Sequence, residues 1–587
     1  MVLKSLGLTI IALFIVGLIV LAMTPDYSRV REGHADAGYL DSAKCISCHT
    51  DHHRSWARTF HSRMTQDARP ETVQGDFEND NVFEYLGIKA RMEKRGATFT
   101  MSLTFPDGRT ESHTIERTVG SRRIEQYVTR QNDQHIRLPL AYDLVNRRWM
   151  SLNGSFFHPD SDNYFQHRAQ WDANCVFCHN VKAQPNFNPR SGQFKTEVAE
   201  LGIACGACHG QSAAHAEEAA SPLVRTLWRT GTSAEKSIIN PSKLTPERSL
   251  MVCGHCHGQR VPQPLDRIQE ILGRGDPYNA GEDLSAFYTP VSHETVLQSK
   301  NGPYSFANRF WANGSPRLTA YEYQGVLRSA CFTKGERERR INCLTCHSMH
   351  EGDIRGQIRE ENRTNKPCLE CHQQYETPAA LTKHTGHILD SPASNCYTCH
   401  MPRVVYGIMS VHRTHDITIP DPQLTISQSV PNACNQCHLE KSVNWSIAAV
   451  KRLWPDRFAS AQPSADEQFN LPEGPRALFA GDALIRALAA EALGGGEGMN
   501  PDKEWARPFL IEAFADNYPI VRFFAANSLA RNYERIPKPD YLATAEARQR
   551  MLAQWREVTA PDLLKQTTVF AEMLRRRRKD VDIEVGE

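Results

Sequence analysis

The 587-residue chain changes texture along its length, and the change begins at the amino terminus. From Leu6 to Met23 it reads LGLTIIALFIVGLIVLAM, 18 residues without a charge, with Lys4 before the run and Thr24-Pro25 stopping it. That length suffices to cross a hydrocarbon core. A cleaved secretory signal usually has a shorter apolar stretch ending at a small-residue site, and LAMTPDYS offers none. The pattern therefore predicts an uncleaved membrane anchor over residues 1–24. Lys4 on one side and Arg29 and Arg31 on the other leave its orientation open.

Residues 25–440 contain few long amphipathic stretches. Thr98 to Val119 alternates apolar and polar positions on both sides of Pro106-Asp107-Gly108, which predicts a β-hairpin. The fragments EQYVT at 125–129 and LPLAYDL at 138–144 extend the strand signal. After residue 440 the texture becomes Ala/Leu-rich helix. Leu484–Leu493 and Ile520–Leu529 share two aliphatics, an Arg, two apolar residues, Ala-Ala and a later Leu, offset by 36 residues. Such a period belongs to stacked helical hairpins, and the unit looks like a HEAT repeat. The expected fold is mainly α: an N-terminal transmembrane helix, a loop-rich domain over 25–440 with a small β insertion, and a helical HEAT-like domain over 441–587.

Composition sharpens this picture at one point. A net charge of +1 gives no support to nucleic-acid binding. The 17 Cys and 24 His, however, are many, and they are paired. Sixteen Cys fall in one five-residue pattern, C-x-x-C-H. The motifs are Cys45/Cys48/His49, Cys175/Cys178/His179, Cys205/Cys208/His209, Cys253/Cys256/His257, Cys343/Cys346/His347, Cys368/Cys371/His372, Cys396/Cys399/His400 and Cys434/Cys437/His438. This is the attachment signature of c-type haem. Two thiols a helical turn apart form thioethers to the two vinyl groups of one porphyrin, and the following imidazole lies beneath the iron. Zinc sites and disulfide frameworks do not demand a His after every second Cys. Eight covalent haems with their iron are expected, attached outside the cytoplasm, and they supply the apolar core that the mean hydropathy of -0.50 lacks.

Sixteen further His are available as second axial ligands. His61, His167, His215, His350, His384 with His387, and His412 with His415 all lie close to a motif in sequence. Motif four, CGHCHGQR, carries an extra His255 and has no His after His257 until His293. His135, His158 or His293 would have to fold onto its iron. Otherwise that iron has an open face.

The succession SWARTFHSRM, GSRRIEQYVT, NYFQHRAQWDANCVFCH, ACGACHGQSAAH, YEYQG, CLTCHSMH, CYTCHMPR, RTHDITIPDP and PNACNQCHLEKS resembles the multihaem cytochromes related to the tetrahaem cytochrome of ammonia oxidisers. It is most similar to octahaem members ending in tetratricopeptide or HEAT-like repeats. The resemblance implies electron transfer on the periplasmic side of a bacterial inner membrane, between redox partner proteins such as other cytochromes or quinol-linked complexes. It places distal ligands at His61, His215, His350, His387 and His415, with His167 a weaker match. The alternative is an octahaem oxidoreductase acting on a small nitrogen or sulfur compound at one open haem. No acid/base constellation stands out around motif four to favour it.

Two features stay outside this scheme. Cys331 is the unpaired seventeenth Cys, expected to behave as a small buried hydrophobe. Arg575 to Lys579 is expected to be a solvated helix end. Intact-mass measurement of the mature holoprotein should find eight haem increments per chain; fewer in fully matured material would contradict the motif count.

Overall fold

The computed structural model describes residues 38–583, apart from 79–80, 166–168, 300–301, 319, 337–338, 407–408, 497–501, 534–538, 558–560 and 582. The apolar run Leu6–Met23 lies outside them. Among the described residues no helix is long and apolar enough to cross a membrane, so the expected transmembrane helix has no counterpart there.

The first folding unit is a sheet. Strands β1 (Thr65–Asp67), β2 (Asn81–Tyr85), β3 (Ile88–Arg95), β4 (Thr98–Thr104), β5 (Thr110–Val119), β6 (Ile124–Gln131), β7 (Gln134–Asp143) and β8 (Arg148–Ser151) form one antiparallel sheet. β2 to β8 pair in sequence order and β1 adds to β5. The sheet curls until β2 approaches β8. Period-two alternation drives it: Ile88, Ala90 and Met92 of β3 and Phe99, Met101 and Leu103 of β4 point inward onto Phe77, Tyr127 and Trp149. Asn132 and Asp133 join β6 to β7 with both φ angles positive, 51° and 59°, as primed two-residue turns require.

The expected fold, mainly α with a small β insertion, is therefore corrected. The 98–119 hairpin exists, but as two strands of an eight-stranded sheet. The misreading has a physical cause. EQYVT and LPLAYDL fall in β6 and β7, whereas the unread strands are β1, β2 and β8, which are three to five residues long, and β3, IKARMEKR, in which five of eight residues are charged. Val119 and Val128 pack on Trp171, Cys175 and Val176, so the sheet supports the second C-x-x-C-H motif.

At the other end, Glu473–Ala480, Ala483–Leu493, Lys503–Ala513 and Pro519–Asn532 are helices packed on one another around small residues such as Ala487, Ala490, Ala525 and Ala526. The two arginines 36 residues apart are both fully buried and play matching parts. Arg486 donates to the carbonyl of Gly481 at 2.9 Å, and Arg522 to that of Asp516 at 2.9 Å, each reaching the loop before its own helix. Arg522 also ties the helices to the sheet, donating to Asp160 at 3.0 Å and to Tyr85 Oη at 3.2 Å. The basic run near the end is not simply solvated: Arg575 donates to Glu512 O, Arg577 to Asp466, and Arg578 to Phe479 O.

Removing a buried cation strands its partners, at a cost of about 3–5 kcal/mol. Arg522→Met should lower stability by about that amount in chemical denaturation. Arg531→Met, which breaks a partly exposed pair with Glu491, should change it by less than about 1 kcal/mol.

Candidate haem sites

Every C-x-x-C-H motif makes one tight turn. The His amide donates to the carbonyl of the first Cys at 2.8 Å for His49, 3.0 Å for His179, 2.9 Å for His257, His347, His372 and His438. Cys205–His209 and Cys396–His400 are themselves short helices. One such turn is what brings two thiols and an imidazole to the same side of the backbone. In motif four the turn is pressed against Tyr323, where a Cβ on Gly254 would sit 2.4 Å from the ring.

Six motif imidazoles face a second imidazole. The ring centres are 6.2 Å apart for His49 and His215, 6.2 Å for His209 and His350, 6.1 Å for His257 and His61, 6.3 Å for His347 and His415, 6.2 Å for His400 and His384, and 6.1 Å for His438 and His387. An iron held by two imidazoles at about 2 Å per bond, plus the radius of each ring, needs ring centres about 6.3 Å apart. The pairs match that span. His52 also lies 6.1 Å from His49 with its ring parallel, three residues along the same segment, and its ring is 4.4 Å from that of His350.

The pairing crosses the sequence. His215 follows motif three yet faces motif one; His350 follows motif five yet faces motif three; His415 precedes motif eight yet faces motif five. His61, near motif one, faces motif four. The expectation that motif four lacks an obvious imidazole partner thus meets a ring brought in from nearly 200 residues away. His135 is engaged elsewhere, its Nδ1 2.9 Å from Asp172. Among the described residues no His ring stands opposite His179 or His372 at this spacing, and His167 lies outside them.

Thiols of neighbouring motifs also meet. Cys45 lies against Cys205, Cys253 against Cys343 and Cys368 against Cys396, while Cys208, Cys346 and Cys399 lie only within electrostatic range of Cys253, Cys368 and Cys434. Cys178 interacts with Cys256. The motifs therefore form one file in the order one, three, four, five, six, seven, eight, with motif two branching from four.

Residues 336–377, spanning motifs five and six, match the family described as the doubled CXXCH motif. Over 142 residues, 24% of this chain, the sequence is 25% identical to the cytochrome c-type protein NrfB of Escherichia coli, and the match covers 57% of that protein's length. With the eight motifs, these similarities support a multihaem c-type cytochrome. Its fold also aligns with the crystal structure of the outer cell wall cytochrome OcwA, at a TM-score of 0.47 and 16% identity, over 88% of this cytochrome and 100% of that chain.

The residues of this cytochrome fit covalent haem c beyond the motifs themselves. An iron-bound His commonly gives its other ring N–H to an acceptor, which fixes the tautomer. Nδ1 of His209 lies 2.7 Å from Ile239 O, that of His347 2.8 Å from Gly356 O, that of His400 2.8 Å from Thr418 O, and that of His387 2.7 Å from Thr385 O. Each leaves Nε2 free to bind metal. Burial pushes His61 down to about 4, which keeps its imidazole neutral and able to ligate. The extra His255 of motif four is a brace: its Nε2 lies 2.7 Å from Asp276, whose carboxyl also accepts from Tyr288 Oη at 2.9 Å. Neither Asp276 nor the acceptors of the ligand imidazoles carry a spacing signal, so sequence reasoning had no handle on them. Cys331 is half-buried near the thiol of Cys371, and burial raises it.

His61→Gly should convert one haem to a high-spin form detectable by electron paramagnetic resonance of the oxidised protein. His293→Asn, at one of the three positions considered for motif four, should leave the spectrum unchanged.

Proposed function

We propose that this cytochrome is an extracytoplasmic electron conduit carrying eight covalent haems, six of them held between two imidazoles. One observation carries the reading: the attachment motifs form an unbroken file, and six of their imidazoles face a second imidazole at the span an iron requires. An iron saturated on both faces changes charge with little ligand rearrangement, and the protein tunes it through axial ligands, burial and hydrogen bonds. The assigned pairs are His49/His215, His209/His350, His257/His61, His347/His415, His400/His384 and His438/His387. When bound, each haem supplies a one-electron iron couple. The chain's own residues fix the rings, and burial lowers the pKa of His61, His209, His347 and His415, which favours the neutral imidazole that ligates.

Electrons enter from and leave to other redox proteins. The helices beyond residue 440, read as a HEAT-like unit on their matching buried arginines, act as a docking and bracing module. The similarity to NrfB covers part of each chain and supports a cytochrome role without fixing the partners.

Spectroelectrochemical titration of the holoprotein tests the conduit reading. All the haem absorbance should reduce and reoxidise reversibly in one-electron steps, and addition of nitrite or hydroxylamine should produce no sustained turnover. Steady consumption of either compound by the reduced protein would overturn it.

A further inference from the structure

The charges that face the haem ligands differ between the two ends of the file. At motif one, Nδ1 of His215 lies 3.1 Å from Glu235 Oε2, with both side chains largely shielded from solvent. Glu235 is locked in place by Ser237, whose N and Oγ donate to Oε1 at 2.7 and 2.6 Å. The Trp228 ring lies parallel to His215, 5.4 Å away, fixing the imidazole plane. Two more carboxylates stand beside the same motif. Glu200 accepts from Ser42 N and Oγ at 3.1 and 2.9 Å, between motifs one and three, and Asp41 caps the turn Ser42–Cys45. The cations nearby in sequence are Lys44, Arg58 and Lys236, all exposed, and Arg54, which is taken up by Asp51 at 3.0 Å.

At motif eight the sign reverses. Arg413 donates to the carbonyls of Tyr397 and Met401 at 3.2 and 3.4 Å, with its guanidinium 4.6 Å above the Tyr397 ring. It faces Cys399 of motif seven and Cys437 of motif eight. Arg403 is buried and stitched to motif eight through two backbone bonds with Gln436, both at 2.9 Å. Among the described residues, two of its guanidinium nitrogens make no hydrogen bond, and the carboxylate of Glu491, shared with Arg531, is 3.9 Å away. Glu440 also stands beside His438, but it is half-exposed and has Lys441 3.8 Å away to offset it.

In between, the ligand imidazoles of motifs three, five and seven give Nδ1 to neutral backbone carbonyls. The carboxylate of Glu322 lies near His257 of motif four, but at 3.9 Å and beside His412 at 3.7 Å.

An anion on the outer N–H of a ligand imidazole increases electron donation to the metal and favours the ferric ion, which carries the extra positive charge. A buried cation does the opposite. We infer that the file is a directed one: the haem at Cys45 and Cys48 sits at the low-potential, donor end, and the haem at Cys434 and Cys437 at the high-potential, acceptor end. A reduced low-potential redox protein gives one electron to the ferric haem at motif one. With haem held by these residues, the electron would pass along the file from the His49/His215 pair to the His438/His387 pair, where an oxidised redox protein of higher potential would take it. No bond forms or breaks at any step. Glu235 is a positioning and tuning residue acting through His215.

This inference rests on the assignment of His215 as the second ligand at motif one, and three variants of the holoprotein separate the two. His215→Gly should turn one haem high-spin in the oxidised electron paramagnetic resonance spectrum; an unchanged spectrum would remove the ligand assignment itself. Glu235→Gln keeps the side-chain shape and removes the charge. In a spectroelectrochemical titration it should move one haem equivalent of absorbance from the low-potential end of the curve towards higher potential, with the low-spin signal retained. Arg413→Gln should move absorbance at the high-potential end downward. If His215→Gly acts as expected while Glu235→Gln leaves the curve unchanged, or shifts its high-potential end, the direction is overturned and the conduit stands.

Discussion

The structure depends on a single backbone hydrogen bond repeated eight times, from the His amide of each C-x-x-C-H motif to the carbonyl of its first Cys. It closes a helical turn that no surrounding element has to impose. Because the turn is local, the motifs can sit in regions of almost any texture: after a sheet at Cys175, at the end of the helix Pro246–Gly254, in a short turn at Cys343. What the rest of the chain must supply is the opposing imidazole and the spacing between motifs.

Those demands are non-local. Six opposing imidazoles come from outside the motif they serve, and the spread of ring distances, 6.1 to 6.3 Å, is narrow. Rigid supports make that possible. The curled sheet carries motif two on Val119 and Val128, and the C-terminal helices are joined to it by Arg522, whose guanidinium bridges Asp160 and Tyr85 to the loop at Asp516. Loss of that bridge releases a buried charge as well as a contact, which is why one residue matters to two units.

Sequence alone made the covalent half of each site legible, because five consecutive residues carry the whole geometry. It left the axial half open. His61 and His215 look like neighbours of motifs one and three, yet the chain returns them to motifs four and one. The sheet was half visible: Pro106-Asp107-Gly108 marks a turn and EQYVT and LPLAYDL mark β6 and β7, whereas β1, β2 and β8 are only three to five residues long and β3 is mostly charged. Arg575, Arg577 and Arg578 read as a solvated run because a charge pattern does not reveal Glu512, Asp466 and Phe479 waiting in space.

The central claim is that these imidazole pairs are axial cages built for iron. An iron-edge anomalous difference map from crystals of the holoprotein tests it at the atoms concerned. It should show a peak midway between the rings of each of the six pairs, His257 with His61 included, and further peaks beside His179 and His372. Iron peaks lying away from the pairs, or bound to a different second residue at most of them, would contradict it.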